Sequence, residues 1–492
     1  MSENTELPNN QLVVPVSGEA AIYHDDTKPG RLFSLDVMRG IAVLAALLVS
    51  IWWFGGFSMN QQTKLLSHPL GGNYRLFATI SLLLEGKMRA LIALVFGAGI
   101  ILFLSAPKTG GKISLADVYI RKQIWLIIFG LFNGLALLWS GDILFHLGMM
   151  GILLFAFARM NAKGLMTAGF ICLLFFAGKH YWNYTDDKKT YHKYLTAVAV
   201  EKKYKADSTK FAQSSKGIIS AKDSLALKKD TLTTEQKGDK QAWEGLVKNK
   251  KYDPKKDEDE NKEMRNGEYS KLWFHLLDNT EVREAQWFYR FGIWELASVM
   301  FFGMALLKLG FFSGSFSKSK YLLMAIGLIS LGLLLGWYRL YFNNAVLRDY
   351  AKYIEHHALP YQFFVPIERA SLAVGYASLL MLLIQANWLQ GVWKIIAPVG
   401  KMALSNYLLQ SIICSIFFTG FGMGYFGKLL QYQLYVFVFE LTLVQIVFSI
   451  LWLRHYEHGP AEWLWRCITY FEWLPNKLEK NPPPQTPAPV AS

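Results

Sequence analysis

Residues 31–57 read RLFSLDVMRGIAVLAALLVSIWWFGGF. From Gly40 to Phe54 the run carries no charge, and Trp52 and Trp53 close it where an aromatic belt sits at a membrane surface, so the stretch predicts a membrane-spanning helix. Its start differs. Asp36 and Arg39 stand three residues apart, hence on one face of that helix. Two readings of the pair are open: Arg39 is a positive-inside anchor with Asp36 as its exposed partner, or the two belong to a site.

Working outward, the chain has 492 residues, 52% hydrophobic and 15% aromatic, gathered into blocks of roughly 20 that a soluble core does not need. After the first block come 91–104, 124–139, 143–158, 165–177, 293–309, 322–337, 372–384, 402–418 and 434–453. The expected fold is all-α, a polytopic bundle of about ten transmembrane helices. Ser140, Gly141 and Asp142 make so short a turn that the third and fourth blocks form a hairpin. Between residues 186 and 284 the composition changes to 22 Lys and Arg against 19 Asp and Glu, with no long apolar run. This reads as a hydrophilic insertion outside the membrane, helical in places and partly disordered, whose KKDEDENKE run (255–263) is its most solvated part. The divisions are then a polar tail (1–30), a first membrane half (31–185), the insertion (186–284), a second membrane half (285–475) and a Pro-rich tail (476–492).

The formal charge is +14, of which the insertion accounts for +3 (22 minus 19). The remaining excess falls in short loops, such as Lys108 to Lys122, Arg159 to Lys163 and Lys308 to Lys320, which the positive-inside rule assigns to the cytoplasm. Both termini are then cytoplasmic. Because basic and acidic residues alternate in the insertion, nucleic acid is not an expected partner. No basic n-region precedes an h-region, so no cleavable signal peptide is expected. Cys172, Cys414 and Cys467 show no paired spacing, which argues against a disulfide framework or a thiolate metal site.

Polar residues inside lipid are expensive and by default mark sites. Glu85, Lys87 and Arg89 precede the second block, whose FGAG element (Phe96 to Gly99) lets another helix approach closely. Glu368 and Arg369 stand before the eighth. Asn406 and Gln410 share a face, with Lys401 near the start of their helix; interhelical hydrogen bonding and ligand contact are equally open readings of this pair. His146, Glu295 and Glu440 lie in or beside apolar blocks. His68, in the loop SHPLGGNYR, has the pKa range of a general base, though a lone loop histidine is more often plain surface. No Walker loop, GxSxG elbow, HExxH or dinucleotide GxGxxG is present, which disfavours an ATP-driven pump.

Several segments taken in order, SLDVMRGIAVLAALLVSI (34–51), EGKMRALIALVFGAG (85–99), GDILFHLGMMGILL (141–154), VMFFGMALLKLGFF (299–312), GKMALSNYLLQSIICSIFFTGFGMGYFG (400–427) and HGPAEWLWR (458–466), resemble the successive signatures of the YeiB-like bacterial inner-membrane proteins, a family of unknown function. The D-x-x-R-G motif, Asp36, Arg39 and Gly40, also resembles the start of the wider transmembrane acyltransferase superfamily, which includes heparan-α-glucosaminide acetyltransferase. That likeness implies transfer of an acyl group from cytoplasmic acyl-CoA to a glycan or lipid acceptor across the membrane. It further implies His68 and Asp36 in catalysis, Arg39 and Lys401 on the CoA phosphates, and Glu85, Lys87, Arg89, Arg369, Asn406 and Gln410 around the acceptor. The loop spacing around His68 departs from the superfamily pattern. Acyl-CoA is then a co-substrate, with no tightly bound cofactor and no metal; the partners are the bilayer, a small-molecule or glycan acceptor and, in some settings, a second copy of the chain. A transporter or flippase for a small envelope-related solute, or a membrane scaffold, is the alternative, since polar groups at membrane depth and glycine-broken helices also line translocation paths.

Overall fold

The computed structural model describes residues 32–67, 69–105, 114–214 and 232–478. Among the described residues seven helices are long and apolar enough to cross a membrane: Phe33–Phe54, Gly72–Leu104, Ala162–Thr209, Tyr269–Lys308, Lys318–Arg348, Tyr361–Gln385 and Gln431–Trp452. Gln390–Lys401 and Ala403–Phe418, bent by 77°, form an eighth if they are one broken span. The two other expected spans fall on shorter helices, Leu115–Leu131 with a π-helical turn at Phe132–Ala136, and Leu144–Phe155, which pack as a hairpin. The chain is an all-α membrane helix bundle.

Burial shows which helix is central. Ile293–Lys308 is buried on nearly every side, as expected for a helix that is apolar all round. Lys318–Arg348 buries the stripe Tyr321, Ala325, Gly332, Gly336 and Leu340, with Val346 near its end, while Leu323 and Leu334 face outward. The central helix meets Lys87–Leu104 backbone to backbone: a Cβ on Gly303 would lie 1.9 Å from the Leu94 carbonyl oxygen, and one on Gly97 2.2 Å from that of Met300. Gly97 belongs to the FGAG element, so the close approach falls where small residues permit it.

One end of the bundle is fixed by hydrogen bonds between distant segments. Ser34 Oγ donates to the Phe312 carbonyl at 2.7 Å, Lys308 Nζ to those of Ala158 and Met160 at 2.8 and 2.6 Å, and Trp465 Nε1 to that of Lys122 at 2.9 Å. At the other end of the first helix, Trp52 turns into the core and its Nε1 donates to Tyr435 Oη at 2.5 Å, whereas Trp53 is half exposed. Of the aromatic pair expected at the membrane surface, one ring is therefore packing.

The insertion is more ordered, and enters the membrane sooner, than its composition suggests. Helix Ala162–Ser214 continues the fifth block for 53 residues. Trp243 of helix Thr234–Asn249 stacks on Tyr350 at 5.6 Å and 10°, inside an aromatic cluster with Tyr191 and Tyr353. The charged 255–263 run lies in helix Pro254–Asn266, N-capped by Asp253, and its Asp257 is buried, accepting from Asn60 Nδ2 and Gln61 Nε2 at 2.6 Å each. Tyr269–Glu281 then runs through a π-helical segment, Val282–Gly292, into Ile293–Lys308. Arg283 and Glu284 thus belong to a spanning helix; polar composition hid this.

Candidate functional site

Two spans are broken, and each break frees backbone polar groups that lipid cannot satisfy. In Gly72–Leu104 the break is at Leu84 to Gly86. Gly86 has φ +76°, a left-handed conformation, and a Cβ there would lie 2.4 Å from Arg369 Nε, so only glycine suits the position. The carbonyls freed at the end of Gly72–Leu83 take side-chain donors. Lys87 Nζ and Arg339 Nη2 donate to the Ser81 carbonyl at 2.8 and 3.0 Å, and Tyr376 Oη to the Leu83 carbonyl at 2.8 Å. Cations at a helix C-terminus also match its dipole.

These cations need counter-charges, and they have them. Glu368 is 1% exposed and lies 2.6 Å from Lys87 Nζ and 2.9 Å from Arg339 Nε. Arg339 reaches Glu85 at 3.4 Å, and Glu85 also accepts from the Ser81 hydroxyl. One helical turn on, Glu295 of the central helix takes Arg89 at 2.8 Å and Arg369 at 2.5 Å. Arg89 and Arg283 both stack on the Trp287 ring, 4.8 and 4.0 Å from its centroid. Beyond Trp287, Glu284 lies 3.1 Å from His146 Nε2, and His146 Nδ1 lies 3.1 Å from the Asp142 carbonyl. The Asp142 carboxylate accepts from Asn133 Nδ2 at 2.7 Å and from the Phe145 N–H at 2.9 Å. The result is a polar seam through the bundle.

The structure therefore brings together Glu85, Lys87, Arg89 and Arg369. Sequence reasoning did not single out Arg339 and Arg283, and noted Glu368 only as a neighbour. Arg339 had a readable signal: it follows Gly336 by three, on the inward small-residue stripe of its helix. Arg283 and Glu284 had none, because they close a polar insertion.

The second break lies between Gln390–Lys401 and Ala403–Phe418, and here the freed groups are N–H donors. Glu462, from the last described helix, Pro460–Tyr470, accepts from the backbone N–H of Leu404 at 2.7 Å and of Ser405 at 3.1 Å, and from the Ser405 hydroxyl. Burial pushes the Glu462 carboxyl above its ordinary range, against the opposing pull of those hydrogen bonds. Thus Glu462, within the HGPAEWLWR signature, closes a helix N-terminus.

Asp36 lies beside this break. It is 1% exposed, not the surface partner of one of the two readings; Arg39 Nη1 donates to it at 3.0 Å, and a Cβ on Gly400, next to Lys401, would lie 1.8 Å from its carbonyl oxygen. The Lys122 carbonyl accepts from Trp465 Nε1 at 2.9 Å and its ammonium lies 4.6 Å from the Trp465 ring centroid, so Lys122 sits beside the neighbour of Arg466. Arg39, Lys122 and Arg466 are basic residues at this end of the bundle.

Asn406 and Gln410 continue the helix that starts at the second break. Asn406 Nδ2 donates to Ser449 Oγ at 2.9 Å and to the Val399 carbonyl at 3.2 Å; Gln410 Nε2 donates to Gln445 Oε1 at 3.1 Å and to the Val43 carbonyl at 3.3 Å. These bonds tie helices together. Glu440 is exposed on its helix. His68 lies outside the described residues. Among the described residues no group of His, Cys, Asp and Glu is placed to hold a metal ion.

Comparison with known proteins agrees with this picture. Residues 306–472 match the family described as a protein of unknown function (DUF418). The chain is 26% identical over 454 residues to the uncharacterized protein YeiB of Escherichia coli (strain K12), covering 89% of this chain and 96% of that protein. It is 23% identical over 450 residues to the uncharacterized protein YxaH of Bacillus subtilis (strain 168), covering 90% and 96%. No solved structure matches. Residues 306–472 thus carry the pattern of that family of unknown function, and over about nine tenths of its length the chain is similar to YeiB and YxaH.

Proposed function

We propose that the protein is a transmembrane acyltransferase of the bacterial inner membrane, moving an acyl group from cytoplasmic acyl-CoA to a glycan or lipid acceptor on the opposite side. The observation that carries this reading is the buried Asp36 paired with Arg39 at 3.0 Å, at the end of the bundle that also holds Arg466 and Lys122, the latter packed on Trp465. Guanidinium and ammonium groups gathered at a bundle end suit the phosphates of a CoA moiety. Lys308 lies at the same end, as the Ser34 to Phe312 hydrogen bond requires, so the basic excess favours that end as cytoplasmic. With the insertion at the other end, both termini are then cytoplasmic.

In this reading the acceptor hydroxyl or amine attacks the thioester carbonyl, His68 takes the acceptor's proton, and the CoA sulfur leaves as a thiolate that is protonated to the thiol. Asp36 orients Arg39, and Lys401 extends the basic group. Glu85, Lys87, Arg89 and Arg369 border the acceptor. The first helix spans about 30 Å at 1.5 Å per residue, so the donor's thioester arm enters the bundle toward the seam.

The test is thermal melting of the purified protein with coenzyme A and acetyl-CoA. Saturation at a hundredfold the dissociation constant stabilises the folded state by about 2.7 kcal/mol, a shift that Lys122→Gln and Arg466→Gln should each reduce. No shift with either compound removes the reading. Mass spectrometry of envelope glycans and lipids then tests His68→Ala against a deletion strain: an acyl modification lost in both supports the assigned base. A transporter is the second reading, favoured by the two broken spans and the charges at the first break. Counterflow of a labelled solute in proteoliposomes supports it.

A further inference from the structure

Two guanidiniums, those of Arg89 and Arg369, pair with one carboxylate, Glu295, and a third, that of Arg283, shares the Trp287 ring with Arg89. Arg89 and Arg369 hold it directly. Arg283 has no carboxylate within 4 Å among the described residues; the nearest acid on its own helix, Glu284, lies against His146. The Nε atoms of Arg89 and Arg283 are buried and donate to no partner, and His180 Nε2 is likewise buried without one. A guanidinium inside a membrane bundle normally finds a counter-charge, because an unpaired one is costly. Arg89 and Arg283 also stack on the Trp287 ring, which fixes their planes and leaves their N–H edges for an anion.

The surroundings describe the rest of the ligand. The side chains of Arg89 and Arg369 retain 21% and 22% exposure. Neighbouring helix surfaces are apolar and exposed at Leu174, Phe175 and Tyr289. A ligand reaching the arginines from that side passes along lipid-facing surface.

We propose that Arg89, Arg283 and Arg369, with Trp287 as their platform, bind the phosphate or carboxylate group of an anionic amphiphile. The site rests on the assignment of Arg89 and Arg369 to the acceptor, and makes that acceptor anionic, but does not depend on acyl transfer. The anion supplies the charge that Arg283 lacks and takes the free Nε donors in paired hydrogen bonds.

Native mass spectrometry of the full-length protein tests this with phosphatidylglycerol as probe and phosphatidylcholine as the neutral control. Wild type should retain phosphatidylglycerol selectively; Arg283→Gln should weaken retention about tenfold or more, the equivalent of 1.4 kcal/mol, and Arg283→Lys by less. If Arg283→Gln does not fold, the wild-type melting temperature serves: it should rise with phosphatidylglycerol and not with phosphatidylcholine. A rise with inorganic phosphate or decanoate as well identifies the bare anionic group as sufficient and supports the site. Equal retention of both lipids, or of phosphatidylglycerol by wild type and Arg283→Gln, overturns it. A coenzyme A melting shift without lipid selectivity defeats this inference alone; lipid selectivity without the coenzyme A shift defeats the acyltransferase alone.

Discussion

Replacing Glu368 by glutamine removes one negative charge and almost no volume. Glu368 is the carboxylate that Lys87 and Arg339 share, at 2.6 and 2.9 Å, and it is 1% exposed. After the change Arg339 keeps Glu85 at 3.4 Å, while Lys87 keeps only the neutral Ser81 carbonyl. Breaking a buried ion pair from one side costs about 3–5 kcal/mol, because the surviving charge is stranded. For a cooperative unit of 150–250 residues, about 2–4 °C per kcal/mol converts this to a fall of about 6–20 °C in melting temperature. The assay is intrinsic tryptophan fluorescence of the detergent-purified protein on heating. Lys87→Met, added to Glu368→Gln, removes the stranded charge and should recover more than half of the loss. A Glu368→Gln protein melting within about 1 °C of wild type would refute the claim that this carboxylate neutralises buried cations. So would a double variant that loses the sum of the two single effects.

Three further outcomes are expected. Gly86→Ala places a Cβ at positive φ and against Arg369, so it should destabilise by about 1–3 kcal/mol, read as a lower melting temperature; an unchanged value would contradict the left-handed break. Gly303→Ala brings a methyl against the Leu94 carbonyl and should cost about 1–3 kcal/mol through separation of two helices, whereas Gly178→Ala, with open space at its Cβ, should melt near wild type. Burial raises the Glu462 carboxyl above 4.5, so the folded state favours its protonated form; that contribution is complete below pH 4.5 and is lost as the pH climbs through the raised value. Wild type should therefore lose stability over that interval that Glu462→Gln does not, and a melting difference between the two that stays constant with pH would contradict it.

Hydropathy made the helices legible because a bilayer imposes length and composition on anything crossing it. All ten apolar blocks fall on helices, including the hairpin around Ser140 to Asp142. Where the blocks ended was less legible, since charged residues that pair inside the bundle look from sequence like the start of a loop. Arg339 and Arg283 were read as loop and insertion for that reason, although both lie within spanning helices. Glu85, Lys87, Arg89 and Arg369 were visible as charges next to apolar runs, but not their pairing, which joins residues as distant in sequence as Lys87 and Glu368. For Asn406 and Gln410 the helical spacing left interhelical bonding and ligand contact both open, and the structure shows hydrogen bonds to neighbouring helices. The Glu462 cap was hidden because its target, the N-terminus of Ala403–Phe418, exists only where the chain bends.

Each of the two innermost acids, Glu295 and Glu368, serves two cations that sit on different helices. Such an arrangement tolerates exchange. One basic side chain can swing away toward an incoming molecule while the other keeps the acid neutralised, so neither departure leaves a bare negative charge in lipid. The four helices meeting at these acids, which carry Lys87 and Arg89, Glu295, Arg339, and Glu368 and Arg369, can then shift against one another by trading partners instead of breaking the assembly.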